Sequence, residues 1–170
     1  ATTEIYTLSL HDALPILSIL GGKFVGMYLV ALTQIMCVVV FTSLAYGVNW
    51  GNPLAAGSLI LSATTAACGL GVLIAAVSRS AASADALGTM IVLPMSVLGG
   101  TMVPLFAMPP AVRSLARLTI NGWALDGFTR VMFESARITD VGVNCLVLLG
   151  AGLAMLTAGG FSLKRKGVRP

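Results

Sequence analysis

The sequence predicts an all-α, polytopic membrane protein with four transmembrane helices and two short extracytoplasmic amphipathic helices. Three observations predict it. The chain of 170 residues is 57% hydrophobic and 9% charged, whereas soluble domains carry about 25% charged residues. Its apolar stretches run past about 18 residues with almost no charge, which excludes a soluble helical core. Helix breakers punctuate those stretches at Asn49–Pro53, at Ser78–Ser83 and throughout Leu93–Pro110.

The first sixteen residues, ATTEIYTLSLHDALPI, resemble one reading frame of a short-read sequencing-library adapter. The expectation is that 1–16 is a non-native segment from a contaminated metagenomic read, and that 17–170 is the native part, beginning near Leu17. The segment lacks the basic start and continuous apolar centre of a signal peptide. Its Glu4, Ser9, His11 and Asp12 are therefore set aside as a catalytic cluster. Without it the chain holds ten basic and four acidic residues, a net charge of +6.

The first span is expected at 24–48, after Gly21-Gly22-Lys23. At 1.5 Å per residue it reaches about 37 Å, enough to cross with some tilt. Asn49-Trp50-Gly51-Asn52-Pro53 ends it, with Trp50 suited to an interface. So short a connection makes the second span, 54–77, antiparallel to the first. The small residues of that span, Gly69 and Gly71 among them, permit close backbone approach to neighbouring helices. Gly69-Leu70-Gly71 lacks the third glycine and the preceding strand of a nucleotide loop, so helix packing is the reading kept.

A polar turn, Ser78–Ser83, leads to a third span at 86–103, with Asp85 in its first turn as a complement to the helix N-terminus. Pro94 is expected to kink it. Gly99, Gly100, Pro104, Pro109 and Pro110 then follow in a stretch that is apolar yet rich in breakers. In hydrocarbon such backbone is tolerated only when buried in protein or lining a cavity. The expectation is that the span surfaces and turns there.

The segment 104–140 holds most of the remaining charge. Pro110 can open a helix at its first position. Val112, Leu115, Ala116 and Leu118, set against Arg113 and Arg117, make that helix amphipathic and suited to an interface. Asn121-Gly122 is expected to break it before a second amphipathic piece. On that piece Asp126, Arg130 and Glu134 fall at i, i+4 and i+8, a solvated ladder of charge rather than a catalytic acid pair. The last span, 141–163, ends at Lys164-Arg165-Lys166. That basic cluster puts both ends of the native part in the cytoplasm and 104–140 outside the cell membrane.

The order of these features resembles the C-terminal part of ABC-transporter permeases of the type-2 exporter family. It runs from Gly-Lys before a span, through Gly69-x-Gly71, to Gly99-Gly100-x-x-x-Pro104. A Met-Pro-Pro helix start and Asn121-x-x-Ala124-x-Asp126 follow. The match covers nearly all of Leu17–Pro170 and departs at Gly99, often Ser in the family, and at Gly122, where proline is common. The resemblance implies six spans per subunit, of which the third to sixth are here. It also implies dimerisation with a second permease subunit into a translocation pathway in the inner (plasma) membrane, and pairing with a cytoplasmic ABC ATPase. The two short helices, at Pro110–Ile120 and Trp123–Glu134, would form a lid over the pathway.

No Gly-x-x-x-x-Gly-Lys-Ser/Thr loop occurs, so no cofactor is expected on this chain, and ATP and Mg belong to the partner. The basic pI is no sign of nucleic-acid binding, since Lys and Arg sit at span ends. Pro94, Gly99, Gly100 and Pro104 are the hinge candidates, with Pro109, Pro110 and Asn121 completing the hinge and lid motif. Simple helix termination accounts for the hinge residues equally well. Two rival functions are weaker. An intramembrane enzyme needs a Ser/His, paired-acid or His–Glu zinc constellation, and no His follows Ile16. An ion- or proton-coupled carrier usually places ionisable groups at mid-membrane, and the spans hold none there. Cys37, Cys68 and Cys145 are far apart, without metal-ligand spacing, and neither a catalytic nor a metal site is expected.

Overall fold

The computed structural model describes residues 2–103 and 107–167, with side chains described for 21–103 and 107–163. Among the described residues the chain forms six helices and no strand. They are α1 (Thr2–Tyr46), α2 (Pro53–Val77), α3 (Ala81–Leu98), α4 (Pro110–Ala116), α5 (Ile120–Phe133) and α6 (Gly142–Gly167). Four helical stretches are long and apolar enough to cross a membrane: Gly21–Tyr46, Pro53–Val77, Ala81–Leu98 and Gly142–Leu163. The fold is an all-α, multi-pass membrane architecture.

Local chemistry sets most boundaries. Gly21-Gly22 does not interrupt α1, because a helix is the conformation that satisfies backbone groups where water is absent. Gly47 ends it in the left-handed region at φ 64°, which glycine adopts without a side-chain penalty. The Asn52 side chain then accepts from the amides of Leu54 and Ala55 at 3.0 and 3.2 Å. With Pro53 in the first turn, this is a strong helix start.

The structure moves the third span. It begins at Ala81 and ends at Leu98, not at 86 and 103. Ser80 and Ser83 form a reciprocal capping box, Ser80 Oγ accepting from Ser83 N at 3.2 Å and Ser83 Oγ accepting from Ser80 N at 3.0 Å. Asp85 therefore lies beyond the first turn rather than in it. At about 1.5 Å per residue the helix spans roughly 27 Å, just enough for a bilayer core. The start of α5 also shifts. Thr119 caps it by accepting from Gly122 N at 3.0 Å, so Asn121 and Gly122 lie inside its first turn and the break falls at 117–119.

α2 and α6 form the closest pair and hold the core, with Leu59, Ala66 and Leu148 almost fully enclosed. Without a hydrophobic drive between helices in lipid, close packing must supply cohesion, and small residues allow it. α1 flanks α2, where the Tyr28 hydroxyl donates to the Leu61 carbonyl at 3.1 Å. α5 crosses the end of the bundle against both α2 and α6, and α3 contributes no buried residue.

Candidate functional site

The breaker-rich stretch is built as a stop that docks. Gly99 is the C-cap of α3, and Gly100 follows in the left-handed region at φ 86°. The Thr101 amide donates back to Ser96 O at 3.1 Å and the Gly100 amide to Val97 O at 3.2 Å. This is the paired hydrogen bonding of a Schellman end, which consumes carbonyls a helix would otherwise leave bare. Thr101 Oγ1 also donates to Ser96 O at 2.7 Å.

The two glycines have different reasons to be glycine. Gly100 needs the positive φ. Gly99 needs space, since a Cβ there would stand 2.6 Å from Asn121 Cβ, 2.8 Å from Met95 O and 3.0 Å from Gly122 N. Asn121 Nδ2 donates to Ser96 Oγ at 3.1 Å. The structure thus brings Gly99, Gly100 and Asn121 to one place, where the end of α3 meets the first turn of α5.

The other motif residues lie around this joint. Pro94 sits inside α3, which continues through it to Leu98. Its missing N–H leaves the Met90 carbonyl without the usual helical donor. Pro109 and Pro110 open α4, Pro109 as N-cap and Pro110 in the first turn. Pro104 lies outside the described residues. The charge ladder is shorter than expected: Arg130 Nε pairs with Asp126 Oδ2 at 3.2 Å, while Glu134 is the C-cap of α5.

Below the joint, Gly69 meets Gly152 of α6. A Cβ on Gly69 would lie 3.0 Å from Gly152 Cα, and one on Gly152 would lie 2.8 Å from the Thr65 carbonyl. Gly71 faces α1 loosely, with Met27 Sδ 3.8 Å from where its Cβ would be.

Three residues of this region escape sequence reasoning. Ser96 is the acceptor for Asn121, Gly152 is the counterpart of Gly69, and Asn144 is a buried amide at the start of α6. Asn144 is 2% exposed and donates to Trp123 O at 2.9 Å and to Asp126 Oδ2 at 3.0 Å. Its one visible signal is an amide near the start of an apolar run, where a polar group must find a partner. Among the described residues, no group of three metal-ligating side chains gathers.

Four membrane-length helices, with a glycine-closed helix end seated on a short crossing helix, define a multi-pass membrane protein with a built joint at one end of the bundle. Residues 4–133 match the family described as ABC-2 type transporter, and the chain belongs to that family. It is also similar to the linearmycin resistance permease protein LnrN of Bacillus subtilis, 28% identical over 139 residues. The alignment takes in 82% of this chain and 36% of that protein, so the chain spans about a third of the relative's length. No solved structure matches it.

Proposed function

We propose that the chain is the membrane-spanning permease part of an ATP-driven ABC exporter. In this reading it forms the translocation pathway as a dimer and is powered by a separate cytoplasmic ATPase that holds ATP and Mg. The observation that carries the reading is the family match over residues 4–133, joined to four membrane-length helices. The charge distribution supports ends inside the cell's inner membrane, with α4 and α5 outside. Lys23 and Arg79 lie toward one end of the bundle, and α4 and α5 lie at the other.

The chain's part is conformational. The joint of Gly99, Gly100 and Asn121 would let the end of α3 move against α5, while closure of the ATPase shifts paired subunits between inward- and outward-open states.

Reconstitution of the permease with its ATPase in vesicles tests this. The substrate to try first is linearmycin, because the relative is named for resistance to it. Accumulation that needs ATP and stops when the ATPase cannot hydrolyse it is the expected result. Transport driven by an ion gradient without ATP would replace this reading with the coupled carrier.

A further inference from the structure

We infer that α5 is a strap with one fixed end and one release end, Asn144 being the clamp at the fixed end. The fixed part of α5 runs from Trp123 to its C-terminus. Gly127 there lies so close to α2 that a Cβ would stand 2.6 Å from Leu59 Cδ2, and it sits beside Asn144 Cβ at 3.4 Å. Val131 is fully enclosed, and the Phe128 ring meets Trp50 edge-on at 6.2 Å between centroids.

Asn144 ties the segment from Trp123 to Asp126 to α6 with two hydrogen bonds, to the Trp123 carbonyl and the Asp126 carboxylate. Asp126 is held in turn by Arg130. Lifting α5 here would strand a buried amide, and burying a polar group without a partner is costly.

The N-terminal end is fastened differently. Ile120 packs on the core and Gly122 is buried, but among the described residues its side-chain hydrogen bond to α3 is Asn121–Ser96, between half-buried groups. α3 itself has no buried residue to anchor it. When Asn121 and Ser96 part at the end of the bundle, water can satisfy both. The Schellman end keeps Gly99 and Gly100 hydrogen-bonded within α3 whether or not α5 is seated. Separation therefore begins between α3 and Asn121, and the Asn144 half stays down.

This is a property of the chain itself and stands apart from the export reading. Its test is amide hydrogen exchange on the 170-residue chain in lipid nanodiscs. Asn121→Ala is expected to speed exchange at least tenfold at 120–122, leaving 126–133 unchanged and also 99–101, whose amides stay bonded within α3. Asn144→Leu is expected to speed 126–133 by a similar factor. Asn144→Asp repeats that arm at nearly constant size, replacing the donor with a carboxylate that faces Asp126. Exchange that spreads from Asn121→Ala into 126–133 overturns the inference. So does protection of 126–133 that survives both Asn144 variants, or collapse of all helices in both, since the clamp would then be inseparable from the bundle.

Discussion

Gly99 and Asn121 approach so closely that a single added methyl on the glycine would press on Asn121 Cβ at 2.6 Å. The neighbours on its other sides are the Met95 carbonyl and the Gly122 amide, which are backbone and cannot swing away. Gly99→Ala must therefore push α5 off α3, an overpacking cost of about 1–3 kcal/mol. Gly100→Ala instead strains a left-handed residue at φ 86°, costing roughly 1–2 kcal/mol. Thermal unfolding in detergent should show both losses. Only Gly99→Ala should also break the Asn121–Ser96 contact, read as a rise in exchange at 120–122. Replacing both glycines by Leu should stop transport in the reconstituted permease while membrane insertion persists. Unchanged transport would leave the pair as a helix stop and nothing more.

The two glycines of Gly69-x-Gly71 should separate in experiment. Gly69 lies 3.0 Å, measured from a would-be Cβ, from the Cα of Gly152, while Gly71 has only the end of Met27 near it at 3.8 Å. A methionine tip can move; a backbone in the opposite helix cannot. Gly69→Leu and Gly152→Leu are expected to part α2 from α6 and lower the unfolding temperature sharply. Gly71→Ala should stay within about 0.5 kcal/mol of the parent, as ordinary substitutions do. Equal effects at 69 and 71 would refute the glycine-to-glycine contact.

Much of this architecture is legible residue by residue, and the failures have physical causes. Pro110 after Pro109 announces a helix start, because first-turn chemistry is local, whereas Asn52-Pro53, read as the end of the first span, proves also to cap and open the second. The Gly99-Gly100 stop is legible too, although the span boundary drawn through it to 103 is five residues too long. The start of α3 is obscured because Ser78, Ser80 and Ser83 are all good caps, and only the reciprocal geometry selects Ser80 with Ser83. Asn121-Gly122 misleads because the pair usually marks a turn, yet the Thr119 hydroxyl draws both into a helix. The Ser96–Asn121 and Asp126–Asn144 bonds join residues 25 and 18 apart. No local pattern encodes such pairings.

The ion pair of α5 should matter less than the neutral amide beside it. Arg130 and Asp126 are 45% and 48% exposed, and pairs that wet contribute about 0.2–1 kcal/mol. Arg130→Gln is expected to shift stability by no more than that, and the shift should shrink in high salt. Asn144→Leu removes, from a site 2% exposed, the donor of two hydrogen bonds, one of them to a carboxylate, and such bonds contribute about 0.5–3 kcal/mol each. Unfolding of the single and double variants decides the ranking. A larger loss for Arg130→Gln would show that charge, not burial, holds α5.

Sidedness is the last expectation open to a direct measurement. Four spans leave Arg79 and the helices α4 and α5 at opposite faces of the membrane, whichever face is inside. The bias of basic residues toward the Arg79 face argues that this face is cytoplasmic. With Cys37, Cys68 and Cys145 replaced by Ala, single cysteines at Arg79 and Thr139 give a two-sided test with a membrane-impermeant thiol reagent. Both positions are exposed, so labelling reports side rather than burial. Intact cells should label Thr139→Cys and spare Arg79→Cys until permeabilised. The reverse pattern would invert the orientation and place α4 and α5 on the face where an ATPase docks, so that the two short helices would be coupling elements instead of an outer lid. Large apolar side chains at that end, Leu118 at 82% and Phe133 at 81% exposure, favour the bilayer interface over bulk water on either side. The labelling result alone therefore fixes which of the two mechanical roles the joint can serve.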